Sequence, residues 1–559
     1  MWYKAEAYIA SEYAGKYLYD RGLVPIYVSD NPILNAQHLV SEAGKGYRYG
    51  LPYHAALAAV TTAPAERLGL GNQLGKIKPG FDADVVVWDS DPLSVGATPV
   101  QVWIDGAAQY ETPVELNKPL TGRLSPNPDL SSAVKNGIAV TGKIVFTGVV
   151  RDFLTTSVDM RTIPVKNASF NVAVESGTIT CIGQCRAELR AAPHIIHLKN
   201  GYLAPAPTAF GSTIGLNTVD SEQTTDNGAD GDTVFSRAAD ALAFDTTKLH
   251  IAHRYGITRA ISAPKFSGSA THHGTSAGFL TGPSTGLTPT VGVVFATDVA
   301  LHYTLSLPVK HSDETPSISA AVGHLRHKLI RALLVSSSRV RTAQSIFERA
   351  PSSPEPDPSS EAAFLQKVVA GEMPLAITVH SADTIAALLR VKADVDKVKS
   401  DLFGGRAGGL LRLVIVGGAE AHLLATELAA AEVGVFLSPM QGLAVSWDQR
   451  RSLTGAPLTN GTTIDVLIGA GVLTAVGLEE DWIVRDLGIL SGIAHKNGGG
   501  KINELQALDL ISRNVYRILG LNESSDGGEK HFVIHEGNPL QVDSRVKGVG
   551  SGTGRVYVF

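Results

Sequence analysis

The chain has 559 residues, of which 44% are hydrophobic and 18% are charged, a composition typical of a globular protein with a sizeable core. Its formal net charge of −5 argues against electrostatic binding to nucleic acid or to anionic membranes. No uncharged apolar run reaches the ~18 residues that a membrane helix needs, and the charged N-terminus is unlike an export signal. We therefore expect two or more domains, no membrane or nucleic-acid partner, and a cytoplasmic location by default. If Met1 is not the true start, the compartment is unknown.

The start of the chain, up to Leu68, alternates between helical and strand patterns. Glu6–Arg21 is predicted to be an amphipathic helix that ends at a glycine. Val24–Val28 is predicted to be a short buried strand, and Asp30 follows its C-terminal end. Leu34–Gly44 and Pro52–Leu68 are predicted to be helices. Carboxylates that follow strands in this way carry the chemistry of many α/β barrels.

The next stretch, Leu68–Gly106, is predicted to be a glycine-rich turn followed by short strands. Asp84–Trp88 is a β-branched run that favours a strand, and Val100–Ile104 is a second one. Asp105 and Gly106 close this stretch with a pair typical of hairpin turns. Local physics predicts strand-rich packing here and no chemistry.

The same stretch reads LGLGNQLGKIKPGFDADVVVWDSDPLSVGATPVQVWIDG, and it resembles the end of a member of the amidohydrolase superfamily of metal-dependent hydrolases. In that family such a phrase marks where the chain leaves a (β/α)8 barrel and completes a small β-sandwich. The resemblance implies that Val24–Val28 is the last strand of a barrel and that Asp30 activates a metal-bound water. From the residues alone, Asp30 is also explained as a cap of the following turn or helix.

After residue 111 the chain enters a region with four prolines and little periodicity, Thr112–Asn136, which predicts a linker. Strand patterns follow at Ile138–Val150, Phe170–Val174, Thr178–Ile182 and Ile195–Leu203. This succession resembles the start of an amidohydrolase.

Helices and strands then alternate up to about residue 440, which favours a parallel barrel or a doubly wound sheet. The predicted strands are Ile257–Ser262, Val291–Phe295, Leu375–Val379, Leu411–Val416 and Val433–Leu437. The predicted helices are Ala238–Tyr255, Ile318–Val335, Ser381–Val391 and Ala419–Ala431. Two polar inserts, Thr218–Asp232 and Pro351–Ser360, are predicted to be mobile surface loops.

The chain also repeats itself, because Arg67–Leu70 recurs as Arg517–Leu521. Asp30 stands almost as far before the end of the first motif as Glu479 stands before the end of the second. We interpret residues 1–111 as the C-terminal fragment of a first amidohydrolase copy, 112–135 as a linker and 136–559 as a second copy. The predicted fold is a (β/α)8 TIM-like barrel at about 200–522 with a small β-sandwich from 136–203 and 530–559. The partial piece of another such unit precedes it.

The family resemblance also implies where metal ligands belong. They are an HxH after the first barrel strand, histidines after the fifth and sixth, an Asp after the eighth and, in some members, a Lys after the fourth. In the second copy, Gly211 and Thr213 occupy the HxH positions, and Gly417 follows the sixth strand. His380 is retained as the predicted metal ligand, although from the residues alone it is explained at least as well as a hydrogen-bonded histidine at the barrel rim. Glu479 stands in the Asp position. No lysine is assigned after the fourth strand.

Other donors are weaker candidates. Cys181 and Cys185 are too few for a disulfide framework, and their spacing is interpreted as incidental since a structural zinc needs four ligands. His272 and His273 are adjacent on a loop, which does not suit joint binding of one metal. His422 is predicted to lie one turn into a helix, off the strand end. Glu479 and its acidic neighbours also fit a solvated helix start.

Three functional hypotheses follow. The first is a hydrolase of non-peptide C–N bonds in a small-molecule substrate, in which His380 holds a divalent metal, zinc by preference, and Glu479 or Asp30 activates water. The second is a degraded barrel without metal that serves as a scaffold or small-molecule binding module. The third is a fragment of a longer tandem protein whose other part completes the ligand set for Asp30. Whether this chain is an enzyme stays open, as does a homo-oligomer.

Overall fold

The structure, a computed structural model, describes most of the chain. The described residues are 4–31, 34–126, 137–155, 169–225, 227, 235–264, 272–282, 293–307, 310, 315–344, 356–404, 409–522 and 530–559. Across these ranges, none of the helices combines the length and the apolar character that crossing a membrane requires.

The N-terminal region, residues 4–126, contains four short helices and a small antiparallel sheet. Its elements are α1 Ala14–Asp20, α2 Leu39–Arg48, α3 Tyr53–Ala58, α4 Thr62–Arg67, β1 Val85–Trp88, β2 Pro99–Ile104 and β3 Ala107–Ala108. The sheet order is β1-β2-β3. Asp105 and Gly106 have φ values of 51° and 76°, so the predicted hairpin turn is confirmed.

The predicted buried strand Val24–Val28 is wrong. Residues 22–29 form neither helix nor strand, and the two terminal valines of this segment are 49% and 71% exposed. Pro25 has no N–H to give to a ladder, and Tyr27 N donates instead to Ala59 O in a loop contact of 3.1 Å. The predicted helix Glu6–Arg21 is shortened to α1 and a preceding 3-10 turn. Asp30 therefore does not follow a strand.

The N-terminal region packs against later parts of the chain. Leu93 and Val95 share a buried cluster with Val542. The Lys45 ammonium lies 3.1 Å from a carboxylate oxygen of Asp486. The contacts combine apolar burial with a buried ion pair, and they attach this region to the rest of the protein.

Residues 138–205 contribute strands and one helix. They are β4 Ile138–Val140, β5 Lys143–Asp152, β6 Phe170–Glu175, β7 Thr178–Gly183, α5 Arg186–Ala191 and β8 His194–Pro205. Cys181 and Cys185 are joined by a disulfide, so the interpretation of their spacing as incidental is wrong. The end of β7 and the following turn bring the two Cα atoms to 5.8 Å.

The next part of the chain, up to residue 519, alternates strands and helices. The strands are β9 Thr208–Phe210, β10 Ser236–Arg237, β11 Arg259–Ser262, β12 His272–Thr275, β13 Ala277–Leu280, β14 Val294–Ala296, β15 Leu301–Thr304, β16 Leu375–Val379, β17 Leu413–Gly417, β18 Gly434–Leu437 and β19 Thr474–Val476. The helices are α6 Thr247–Arg254, α7 Ile318–Gln344, α8 Glu361–Ala370, α9 Ala382–Phe403, α10 Ala425–Ala430, α11 Thr463–Gly469, α12 Leu487–Asn497, α13 Glu504–Asp509 and α14 Arg513–Leu519.

These strands form a barrel-like circuit. Strands β15, β16, β17, β18 and β19 pair in parallel in that order, and β9 pairs in parallel with β11. Leu478 N, just past β19, donates to Phe210 O at the end of β9 (2.8 Å), which joins the last strand to the first. Between β11 and β15 the barrel wall is formed by the consecutive strands β12 and β13. β13 is antiparallel to β11, and β12 is antiparallel to β15. The expectation of an all-parallel barrel is therefore wrong for these two strands.

The barrel interior is filled by side chains. Phe210 and Phe436 stack there with ring centroids 3.7 Å apart, and both are buried. A second, larger cluster lies between the strands and the surrounding helices and includes Leu375, Leu413 and Val435. Burial on both faces explains why these strands are almost continuously apolar in the sequence.

The chain ends with β20 His531–Glu536, β21 Arg545–Ser551 and β22 Val556–Val558. They join the earlier strands in one eight-stranded sheet of order β4-β22-β21-β20-β8-β5-β6-β7. Both segments that were predicted to flank the barrel thus meet in one sheet. The division into a complete copy and a partial copy stays a prediction.

Candidate functional site at the barrel mouth

The carboxyl ends of the parallel strands meet at one end of the barrel, which we call the barrel mouth. In α/β barrels the residues after these strand ends carry the chemistry. Gly211 and Thr213 follow β9, His380 follows β16, Gly417 ends β17, and Glu479–Asp481 follow β19. The mouth therefore contains the positions at which the resemblance implied histidine and aspartate ligands.

A buried ionic network connects the loops after β9 and β19. Asp481 is 3% exposed, and one of its carboxylate oxygens accepts hydrogen bonds from Thr213 N (3.0 Å) and Thr213 Oγ1 (3.3 Å). Its other oxygen accepts from the Lys248 ammonium at 2.7 Å. Lys248, 1% exposed, donates equally closely to Asp220 (2.7 Å). One ammonium thus connects two carboxylates from different loops.

The ammonium of Lys248 is charged at neutral pH. Burial lowers its pKa, but the carboxylates of Asp481 and Asp220 outweigh burial and hold the pKa above its ordinary value. Asp220 comes from the insert that was predicted to be a mobile surface loop. Its ion pair with a buried lysine shows that the start of this insert is part of the protein interior.

Gly211 and Thr213, which stand where the resemblance implied an HxH pair, have other structural roles. Gly211 has a φ of +95°, a conformation that strains any residue with a Cβ, and a Cβ there would lie 3.3 Å from Leu478 O. Thr213 donates both its backbone N–H and its hydroxyl to Asp481. Gly211 therefore shapes the turn after β9, and Thr213 positions the carboxylate of Asp481.

The Gly417 position is also closed to a larger side chain. A Cβ on Gly417 would lie 2.7 Å from Cε1 and 3.0 Å from Nδ1 of His380. Its φ of +95° adds backbone strain to this clash. The His380 ring therefore packs over the backbone at the point where a ligand from β17 would emerge.

His380 has a buried ring nitrogen, Nδ1, for which the described residues supply no hydrogen-bond partner. Burial lowers the pKa of His380, and the nearby carboxylates of Asp448 and Glu420 offset only part of this effect. The imidazole is neutral at neutral pH, the form in which a histidine nitrogen can bind a metal.

Glu420, which the sequence analysis did not single out, anchors the backbone around His380. Its fully buried carboxylate accepts from Ala382 N at 3.0 Å and from Arg451 Nη2 at 2.6 Å. Burial raises the pKa of Glu420, but the bonds from Arg451 and from backbone N–H groups lower it below its ordinary value. This carboxylate holds the start of α9 and is saturated by protein donors.

The other predicted site residues differ in position and exposure. Asp30 lies on an exposed turn of the N-terminal region with a φ of 51°. Glu479 is at the mouth, but it is exposed, whereas Asp481, two residues later, is buried. His422 Nδ1 lies 3.3 Å from Thr463 Oγ1 on α11, off the strand end as expected.

The residues at the mouth do not fit a family-type metal centre. Within the described ranges, three His, Cys, Asp or Glu donors converge only at Cys181, Cys185 and Glu188. Both of these cysteines are tied in the disulfide, so they are not thiolate ligands. His272 and His273 lie on β12, and their side chains fall outside the description. A catalytic zinc needs about three protein ligands, and no such group converges around His380 among the described residues.

The repeat in the sequence contained a signal for one residue of the network. The interval from Asp481 to Leu521 equals the interval from Asp30 to Leu70. Glu479 was preferred because it stands closer to the strand end. Lys248 gave no signal, because a lysine within a predicted helix, here Ala238–Tyr255, is ordinarily solvated.

A cavity of about 850 Å³ lies between the N-terminal region and the barrel. This volume is in the range of pockets that hold small ligands, roughly 300–1,000 Å³. Leu57 and Val60 line one side, Ile493 of α12 lines another, and Lys45 and Asn497 add polar groups. The cavity is separate from the ionic network, since neither Lys248 nor Asp481 lines it.

Comparisons with known proteins give a consistent family. A model described as "Amidohydrolase family" matches residues 29–110. The amidohydrolase tasK of Hapsidospora irregularis is 49% identical over 562 residues, covering 96% of this chain and 56% of the relative. The chain therefore spans about half the length of that curated relative.

One solved structure agrees with the barrel-like fold. A crystal structure of an amidohydrolase from Thermotoga maritima MSB8 superposes with a TM-score of 0.57 at 18% identity, covering 74% of this chain and 100% of that one. At this identity the likeness concerns the fold alone. A prolidase crystallised with n-methylphosphonate-l-proline covers 75% of this chain and 100% of its own at 14% identity, but its TM-score of 0.39 carries no argument.

Proposed function

Because the chain belongs to the amidohydrolase superfamily, we propose that it works in a hydrolase of non-peptide carbon–nitrogen bonds in small molecules. In this hydrolase, the barrel of about residues 200–522 serves as a metal-free supporting module. The mouth itself supports the second part: Gly211, Thr213 and Gly417 stand where the resemblance implies ligands, and the Lys248 ammonium pairs with the carboxylates of Asp220 and Asp481.

Members of the superfamily are generally metal-dependent, and a bound divalent metal would supply a water of lowered pKa and a polarised carbonyl. We derive no step through a metal in this barrel, since the described residues do not provide its ligands. Asp30 is the carboxylate we propose for the hydrolytic centre of the whole protein. It lies in the segment that the family model matches, and its exposure leaves it accessible to residues beyond those of this barrel.

A second candidate is hydrolysis in this barrel around one atypically held metal. The buried Nδ1 of His380 favours it, because a neutral ring nitrogen without a hydrogen-bond partner among the described residues is available as a ligand. Glu479, exposed at the mouth, would then act as the base. A third candidate, binding of an apolar small molecule, is supported by the cavity of about 850 Å³.

Metal analysis separates the first two candidates. We expect the purified chain to contain less than roughly a tenth of an equivalent of zinc, because a bound metal requires about three converging donors. We also expect His380→Ala to leave that content unchanged. His422→Ala is the matched control, since His422 contacts Thr463 and lies off the strand end. About one equivalent of zinc that disappears in His380→Ala and persists in His422→Ala would establish the second candidate.

A further inference from the structure

Lys248 is placed where a lysine is rarely found. Its ammonium lies 2.7 Å from Asp220 and 2.7 Å from Asp481, and its side chain is 1% exposed. It is the second residue of α6, so the helix fixes its stem while the two loops supply the carboxylates. Lysine is almost never fully buried unless it is paired.

The charges in this network require a cation. Two carboxylates, one of them 3% and the other 15% exposed, would repel each other strongly in a site of low dielectric. Thr213 donates two hydrogen bonds to Asp481, which satisfies lone pairs without adding a positive charge. Lys248 is the cation that the structure places between them.

The network also lies where the barrel closes, between its first strand, β9, and its last strand, β19. Asp220 belongs to the loop after β9, and Asp481 belongs to the loop after β19. Next to it, the first and last strands are joined by the hydrogen bond from Leu478 N to Phe210 O. Cross-linking the two loops therefore holds the barrel closed at the mouth.

We propose that the ammonium of Lys248 takes the place of a bound cation at this barrel mouth: it offsets the charge of the two converging carboxylates and ties the loop after β9 to the loop after β19. The inference rests on the proposed metal-free barrel. Lys248 is a positioning residue, and the network has no place for an additional ion while the ammonium is present.

The test is to remove the ammonium and offer a metal. Lys248→Met keeps a flexible apolar stem and lacks the terminal heavy atom, so it empties the position between the carboxylates. Calcium–oxygen distances of about 2.3–2.6 Å are close to the 2.7 Å contacts of the lysine nitrogen. Calcium should therefore fit the emptied position.

We expect Lys248→Met to lower the unfolding midpoint by roughly 5 °C, because it removes the ammonium from between the buried carboxylate of Asp481 and the half-buried carboxylate of Asp220. Addition of 10 mM calcium chloride should recover at least about half of that loss in the variant and leave the unaltered protein unchanged. Lys392→Met is the matched control. Lys392 is 7% exposed, and among the described residues it pairs with one carboxylate, that of Asp396 at 2.8 Å. We expect a smaller loss there and no response to calcium.

The double variant Lys248→Met/Asp481→Asn covers the case in which Lys248→Met does not fold. Removing one carboxylate together with the ammonium should restore soluble, folded protein or raise the midpoint above that of Lys248→Met. Failure of both calcium and the second substitution to improve Lys248→Met would overturn the inference, as would a Lys248→Met protein as stable as the parent. Stoichiometric zinc in the parent protein would instead overturn the proposed metal-free barrel.

Discussion

Replacing Phe436 by alanine is expected to destabilise the protein by about 3–5 kcal/mol, the usual cost of deleting a buried aromatic ring. Phe436 is on β18 and is 0% exposed, and its ring stacks on Phe210 at a centroid distance of 3.7 Å. The surrounding strands are tied by backbone hydrogen bonds, so they cannot close over the space that the ring leaves. The free energy of unfolding in urea measures the effect.

Trp447→Ala is the control for this prediction. Trp447 is also a large aromatic residue near the mouth, but its side chain is 71% exposed, so its loss should change the free energy of unfolding by less than about 0.5 kcal/mol. A loss below about 1 kcal/mol for Phe436→Ala would contradict the described barrel interior. Phe210→Ala should behave like Phe436→Ala, and the double variant should lose less than the sum, since the two rings contact each other.

The second large effect is a loss of stability in mild acid. Burial lowers the pKa of His253 and of His302 to about 4 and that of His531 to about 3. In the unfolded chain a histidine has a pKa of about 6.5. Between these values the unfolded state binds protons that the folded state does not. The stability that these neutral histidines contribute is therefore fully present above pH 6.5 and is lost as the pH falls towards 4.

Each of these three histidines should cost on the order of 1 kcal/mol for each pH unit below 6.5, so together they should cost roughly 3–4 kcal/mol by pH 5.5. Urea unfolding at pH 7.5, 6.5 and 5.5 measures this slope. His302→Gln should make the slope shallower, because about one proton fewer is taken up on unfolding. His54→Gln, at an exposed position, should leave the slope unchanged. The same slope in His302→Gln as in the parent would show that His302 is not buried in the neutral form.

The barrel strands were the most predictable part of the chain. Leu375–Val379 has the same bounds in the sequence prediction and in the structure, and Gly434–Leu437 differs by one residue. Strands that are buried on both faces need apolar residues at every position, so the run of such residues marks them directly. The hairpin at Asp105 and Gly106 was equally clear, because few residue pairs accept two positive φ values.

The predictions failed where partners decide the structure. Val24–Val28 has the composition of a strand, but it has no neighbouring strand among the described residues, and Pro25 removes a donor. The direction of β12 and β13 in the barrel depends on which strands flank them. Local composition does not encode those neighbours. The disulfide of Cys181 and Cys185 likewise depends on how the end of β7 turns.

The sequence by itself indicated the resemblance to amidohydrolases, the alternation of strands and helices, and the absence of histidine from most positions where that resemblance implies ligands, since each is a property of residues in a fixed order. Only the tertiary structure decided that Asp481 and not Glu479 is buried where the first and last strands of the barrel meet. It also decided that Lys248 supplies the counter-charge of Asp481. Lys248 and Asp481 are far apart in the sequence. Their interaction follows from the closure of the barrel, which brings the first and last strand loops together and excludes water from the charges between them.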